Sequence, residues 1–379
     1  MKSKKKRDAL AEREKEQLLN PEKVKEKKKK KRKKMAFLLL TEAAVVAVMV
    51  FMLFQIVRAV GKNSLLGKAQ QAPELTPVIA SEPLSKEEEE KWQQGWVKYK
   101  EKVYAYNEDI LTFLIMGIDK NSDVKEVAEG TSGGQADALF LAVMNPHDKS
   151  IKVIGINRNT MTDIDVYNEE GAYVNTIKAQ IAVQHGFGNG VEESCEYQKK
   201  AVQKLFYNLP IHGYAAVNMS AIPAVNDAVG GVEVTVLEDL TKKDKSLKEG
   251  ETVHLEGESA YWYVKYRDTN IFASADRRLE RQKQYLTAFI NAAKGAVKKD
   301  LSAAVELYQE ISAQMVTDIS IDEVTYLAPI VADYGFTGDS FRMLEGETTM
   351  EEKFEEFQAD EEALYELIID VFYEEVADG

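Results

Sequence analysis

The sequence predicts an α/β fold of the α+β kind, a mixed central sheet flanked by helices, preceded by one transmembrane helix. Three observations carry this expectation. Short apolar runs rich in strand-favouring residues recur at ILTFLIMGI (110–118), ALFLAVM (138–144), IKVIGI (151–156), YAAVNM (214–219) and VEVTV (232–236). The stretches around 191–208 and 278–299 instead repeat their apolar residues at helical spacing. Strands interleaved with helices bury their apolar faces in layers round a sheet. Upstream of all of them, residues 35–60 form one long apolar stretch.

The basic tail, 1–34, holds seventeen Lys or Arg and six Asp or Glu, a charge of +11, so the total of −14 leaves about −25 on the rest of the chain. An acidic body excludes a general nucleic-acid binder, because neutralising phosphates needs a basic face; no nucleic-acid partner is expected. Residues 35–60, MAFLLLTEAAVVAVMVFMLFQIVRAV, contain one acid, Glu42, and one late base, Arg58. Their length suits the roughly 20 apolar residues that cross a bilayer. A cleaved signal peptide, the rival reading, has a shorter apolar region ending in small residues. The run Lys27–Lys34 directly before the span keeps the N-terminus cytoplasmic and can meet anionic lipid, so the protein is expected in the plasma membrane, single-pass, with its main domain outside.

Residues 61–109 read as a linker with three prolines, followed by an amphipathic helix. Trp92, Trp96, Tyr99, Val103 and Tyr106 stand at helical spacing between Ser85 and Asn107. The main domain covers 110–300. The acidic end, 301–379, reads as a helical extension packed on it through the apolar face of LYELIIDVFY (364–373). A single cysteine, Cys195, excludes an intramolecular disulfide and a cysteine zinc cluster, and the four histidines lack metal-protease spacing.

No Walker loop, Gly-x-Ser-x-Gly elbow or zinc-protease helix is present, and GFGNG (186–190) has the wrong spacing for a dinucleotide loop. What remains are charged residues at the ends of apolar runs, where α/β proteins commonly bind ligands. Asp119 ends MGIDK, Asp137 precedes ALFLAV, and Arg158 follows IKVIGI in NRNT. Either carboxylate could serve only as a turn residue. Five bases gather in YVKYRD (263–268) and DRRLERQ (276–282). On a helix starting near Asp276, Arg278, Arg281, Gln282 and Tyr285 form a polar stripe beside Leu279, Leu286, Phe289 and Ile290. Such a stripe is either solvated charge or, where two arginines converge near a helix start, a pocket for phosphate or pyrophosphate.

The order LIMGIDK, an Asp before ALFLAVMNP, IKVIGINRNT, IKAQIAVQHG, VNDAVGGVEVTV, LEGESAYWYVKYRD and DRRLERQKQYL, after a membrane span, resembles the LytR-CpsA-Psr family over roughly 110–295. The resemblance implies an apolar groove for a polyprenyl chain. It also implies a glycopolymer phosphotransferase that takes teichoic acid or capsular polysaccharide from a polyprenyl-pyrophosphate donor to a peptidoglycan acceptor, with magnesium. By position, Arg158, Arg267, Arg278 and Arg281 match the family's catalytic arginines, with Asp268 as a further catalytic candidate. Lys178, Lys265 and Gln282 match pyrophosphate-binding positions, and Asp137 and Asp227 metal-binding ones. Gly230 and Gly231 match its paired glycines, which a turn of positive φ also explains. Asp137, Asp268 and Asp276 are candidate proton acceptors. The family's Pro-Arg-Asp reads Asn157-Arg158-Asn159 here, an expected arginine is Lys265, and the acid leading into the arginine helix, Asp276, is one position off. These departures imply weakened or altered catalysis, or a binding or scaffolding protein of the envelope that keeps the fold without the chemistry.

Overall fold

The computed structural model describes residues 29, 49, 51–68, 72–75, 92–127, 133–268, 270–351 and 354–376. The chain divides into two units, Met1–Val57 and Arg58–Gly379, and the account below concerns the second. The expected tail and membrane span lie outside the described residues except for 29, 49 and 51–60. Residues 51–66 are helical, and among the described residues no helix is long and apolar enough to cross a membrane.

The helix expected before residue 107 is, over its described part, a hairpin. Strands β1 (Trp96–Tyr99) and β2 (Lys102–Tyr106) pair antiparallel. The two residues between them, Lys100 and Glu101, have φ of 48° and 64°. Two successive left-handed residues give a hairpin turn whose twist suits the strands. Trp96, Tyr99, Val103 and Tyr106 fit a helical spacing, but the turn interrupts it, and within β1 the burial alternates, with Val97 and Tyr99 inside.

The chain continues through β3 (Leu111–Ile118), β4 (Ala136–Asn145), β5 (Ser150–Ile156), β6 (Met161–Tyr167), β7 (Tyr173–Gln180), helix α1 (Glu192–Leu205) and β8 (Gly213–Asn218). Next come α2 (Ile222–Ala228), β9 (Val232–Thr235), β10 (Thr252–Leu255), α3 (Glu258–Lys265) and the long α4 (Ser274–Lys299). The end of the chain adds α5 (Ala303–Ile311), β11 (Met315–Thr317), α6 (Ile321–Asp333), β12 (Phe341–Met343), β13 (Gly346–Glu351), β14 (Phe354–Ala359), α7 (Glu361–Phe372) and β15 (Tyr373–Glu375).

Six strands form a mixed central sheet in the order β11-β8-β3-β4-β5-β12. The β3/β8 and β5/β12 pairs are parallel and the others antiparallel. Strand β3 lies inside the sheet, covered on both faces, which is why it reads as a continuous apolar run. Leu114, Met116 and Ile118 point into one layer with Leu139 and Leu141, closed by Cys195 and Val202 of α1 and Leu364, Ile368 and Phe372 of α7. Leu111, Phe113 and Ile115 point into the other with Phe140 and Val153, closed by Leu279 and Leu286 of α4 and Tyr326 and Ile330 of α6. The period of two along the strand therefore sorts one run into two cores. A third, smaller core joins β9, β10 and α3 beneath Tyr285 of α4.

The stretch 301–379 contains the expected helix α7, but it also carries five strands. Strands β11 and β12 form the two edges of the central sheet, β15 extends the β1-β2 hairpin, and β13 and β14 pair with each other. Three of the five are only three residues long, too short to show a period.

Candidate functional site

Sheet register builds the centre of the site. In the β4-β5 pair Leu139 lies opposite Ile156. Two residues further out, where the strands end, Asp137 meets Arg158. The Arg158 guanidinium donates through Nη1 to Asp137 Oδ1 and through Nη2 to the side-chain oxygen of Gln135. From the first turn of α4, Arg278 donates through Nη1 to Asp137 Oδ2 at 2.9 Å and through Nη2 to the Asp137 carbonyl at 3.2 Å. All three side chains are largely buried, at 14% exposure for Asp137, 15% for Arg158 and 5% for Arg278.

Burial lowers the Arg278 pKa, Asp137 opposes that, and the charges of Arg158 and Arg267 lower it further. Three guanidinium groups thus share a region in which Asp137 is the carboxylate bound to two of them. Two of their buried nitrogens, Arg158 Nε and Arg267 Nη1, have no hydrogen-bond partner among the described residues, and neither does Ser274 Oγ at the start of α4. Unsatisfied buried donors are costly, and an anion with several oxygens would satisfy them. The N-terminus of a 26-residue helix favours the same charge.

The polar stripe of α4 is buried. Arg278, Arg281, Gln282 and Tyr285 are 4%, 1%, 5% and 9% exposed, so the solvated-charge reading does not apply. Arg281 turns away from Asp137: it donates to the carbonyls of Tyr263 and Tyr266 and pairs with Glu238, tying the end of α3 to α4. Gln282 donates to the Val264 carbonyl at 3.1 Å in the same seam. Lys265 lies at the rim and donates to Asn121 Oδ1 at 2.9 Å and to the Tyr261 hydroxyl.

Among the described residues, only Asp119 of the remaining candidates touches this cluster, through the backbone of Gln135. Lys178 lies exposed on β7, opposite Asp163. Asp268 Oδ1 accepts from the backbone and side-chain nitrogens of Asn270, and these bonds hold its pKa below the ordinary carboxylate value. Asp119 accepts from the Gln135 amide at 2.7 Å. Asp227 Oδ1 accepts from Asn226 Nδ2 and the Gly257 amide, after which Gly230 and Gly231 take φ of 86° and 74°. A Cβ on Gly231 would lie 2.5 Å from His254, so the turn accounts for that glycine without a ligand. Among the described residues no group of three His, Cys, Asp or Glu side chains could hold a metal ion. Asp137 is the carboxylate nearest the arginines, with spare lone pairs but both oxygens engaged.

An apolar cavity of about 300 Å³ adjoins the cluster. It lies against β3, β4 and β8, between α2, α4 and α5, with Ala138, Phe140, Val217, Met219, Leu286 and Phe289 in its wall. Ala138 follows Asp137 in β4, and Gln282, also in the wall, stands one helical turn after Arg278. The cavity wall therefore includes near neighbours of the cationic cluster in the chain, on both β4 and α4. Sequence reasoning missed Gln135, Glu238, Thr348 and Glu355. Gln135 is recognisable by proximity to Asp137, whereas nothing local marks the other three.

Fold and site define a mixed-sheet α/β protein with a buried cationic centre beside an apolar cavity. The LytR_cpsA_psr family matches residues 78–368, and the chain belongs to that family. A Bacillus cereus protein named polyisoprenyl-teichoic acid–peptidoglycan teichoic acid transferase TagU is 28% identical over 225 residues, 59% of this chain and 65% of that protein. An Enterococcus faecalis protein of the same name is 28% identical over 236 residues, 60% of this chain and 68% of its own length. The match thus spans about two thirds of these relatives. Among solved structures, B. subtilis TagV is similar in fold with a TM-score of 0.53 at 22% identity, covering 69% of this chain and 95% of that one. A TagT structure bound to LI-WTA gives 0.52 at 22% identity over 69% of this chain and 89% of that one.

Proposed function

We propose that this protein is a membrane-anchored phosphotransferase that moves a glycopolymer, of teichoic-acid or capsular-polysaccharide type, from a polyprenyl-pyrophosphate carrier to peptidoglycan outside the cell. The observation that carries the reading is the pair of unpartnered guanidinium nitrogens on Arg158 and Arg267, in a cluster whose neighbours Ala138 and Gln282 line an apolar cavity. A polyprenyl pyrophosphate is both parts of that description, a polyanion joined to a hydrocarbon. TagU relatives carry the corresponding activity in their names.

In this reading Arg158, Arg267 and Arg278 hold the donor's pyrophosphate and the cavity takes the first part of its tail. The acceptor hydroxyl oxygen bonds to the sugar-linked phosphorus, the bridging P–O bond breaks, and the lipid phosphate leaves with the bonding pair. Positioned cations stabilise the charge that spreads over these oxygens, which is most of what phosphoryl transfer asks of a protein. Asp137 is the side chain that would hold magnesium, an ion that usually binds through one or two carboxylates together with phosphates. When bound, the ion would neutralise charge on the pyrophosphate. Arg281 and Gln282 act from behind by fixing the seam between α3 and α4. Asp276 has both oxygens engaged, by Asn157 and Thr348, whereas Asp268 uses one oxygen and lies at the surface, which favours Asp268 as proton acceptor.

The test is to incubate the full chain in detergent with magnesium, a polyprenyl-pyrophosphate glycan and a peptidoglycan oligomer, and to search by mass spectrometry for a phosphate-linked product. Product that vanishes in Arg267→Ala supports the reading. Donor binding without product across several glycans would favour the non-catalytic binding protein, a reading motivated by the neutral Asn159 beside Arg158. No donor binding would overturn both.

A further inference from the structure

The arginine-bearing turn is flanked by two asparagines, and both lead to the hairpin β13-β14 near the end of the chain. Asn157 Nδ2 donates to Asp276 Oδ1, while Asp276 Oδ2 accepts from Thr348 Oγ1 of β13 at 2.9 Å. Asn157 Oδ1 also accepts from the Asn159 amide at 2.8 Å, which closes the turn on itself. Asn159 Nδ2 donates to Glu355 Oε2 of β14 at 3.2 Å, and the Asn159 carbonyl accepts from the Phe357 amide at 3.0 Å. The Glu355 carbonyl in turn accepts from Gln180 Nε2 at 2.7 Å. Asn159 and Glu355 are 2% and 7% exposed.

Hairpin geometry explains why a glutamate is buried here. Met350 pairs with Glu355 and Thr348 with Phe357, so these four side chains share one face, since directly opposed residues project the same way. That face carries the side-chain contacts, Glu355 to Asn159 and Thr348 to Asp276, while the Phe357 amide reaches the Asn159 carbonyl along the strand edge. The other face shows Glu347, Glu351 and Phe354 to solvent. A buried carboxylate needs hydrogen-bond donors, and among the described residues the Glu355 carboxylate accepts from the side-chain amide of Asn159.

We propose that Glu355 is a positioning residue for the arginine site: through Asn159 it fixes the turn that aims Arg158 at its ligand, standing as a distant carboxylate where the turn itself has a neutral amide. The deduction rests on the proposed donor site only for what Arg158 binds; the latch itself is independent of the ligand. Asn159 and Glu355 then form one unit, so a carboxylate and an amide are required as a pair, in either order.

The test uses an isosteric exchange in the full chain. Glu355→Ala removes the acceptor, Asn159→Asp places two carboxylates face to face, and Asn159→Asp with Glu355→Gln rebuilds the hydrogen bond with reversed polarity. Hydrogen–deuterium exchange of residues 157–160 without ligand reads the latch, and calorimetric binding of geranylgeranyl pyrophosphate reads its effect on Arg158. The expected result is faster exchange and binding weakened about tenfold in both single variants, with both readouts near wild type in the double variant. Glu347→Ala, on the outer face, serves as the unaffected control. A Glu355→Ala protein that exchanges and binds as wild type, or a double variant no better than Asn159→Asp alone, would overturn the proposal. Wild-type protein that binds no pyrophosphate while the exchange pattern holds would overturn the donor reading and leave the latch standing.

Discussion

Arg278 grips Asp137 twice, once through its carboxylate at 2.9 Å and once through its backbone carbonyl at 3.2 Å, so the first turn of α4 is locked to the start of β4. Arg158 occupies the other carboxylate oxygen. One acid therefore organises two buried cations, the three residues coming from separate parts of the chain.

Asp137→Ala should lower unfolding free energy by about 3–5 kcal/mol, because breaking a buried pair leaves uncompensated charge. Urea unfolding measures this. Added inorganic pyrophosphate should recover part of the loss by binding the folded state. A change below about 1 kcal/mol would show that the arginines are satisfied without Asp137.

Arg267 and Arg281 should behave differently although both belong to the same sequence region. Arg281→Ala strips donors from two carbonyls and a partner from Glu238, so it should destabilise by about 3 kcal/mol or more. Arg267→Ala, whose Nη1 has no partner, should cost less than about 1 kcal/mol yet weaken pyrophosphate binding. Paired thermal melts and calorimetry separate the two, and equal destabilisation would contradict the assignment.

Filling the cavity should discriminate between tail and headgroup. Ala215→Phe projects a ring into the chamber and should reduce affinity for long polyprenyl pyrophosphates at least about tenfold, leaving inorganic pyrophosphate unchanged. Competition binding with the two ligands checks it. Parallel losses for both would mean the cavity and the arginines are not used by one ligand.

Stability should fall on acidification. Burial pulls His185 and His212 down to about 4 from the ordinary 6.5. The unfolded chain then binds more protons than the folded one between those values, so stability present above about pH 6.5 is lost as pH falls toward 4. His147 runs the other way. Its ring nitrogens donate to the carboxylates of Asp109 and then Glu374, which raises its pKa and gives stability below about 6.5 that is lost as pH rises through the folded value. His147 is exposed and screened, so the buried pair should dominate. Thermal midpoints from pH 8 to 4 measure the slope, and His185→Asn should flatten it.

By itself the sequence determined the inner strands of the central sheet, β3, β4, β5 and β8, and the long helix α4, because these are long enough to display their periods and to show which faces are apolar. It also marked Asp137, Arg158 and Arg278 as charges at element ends. Tertiary structure alone decided which of these meet. The β4-β5 register sets Asp137 opposite Arg158, and the rotation of α4 sends Arg278 to Asp137 while burying Arg281 against the carbonyls of α3 and the residues after it. Local pattern also failed where turns overrode spacing, as Lys100 and Glu101 did in making a hairpin of an expected helix. Glu355 lies 196 residues from Asn159, and an exposed-looking acid in an acidic tail differs from a buried partner only through the face that its hairpin turns inward.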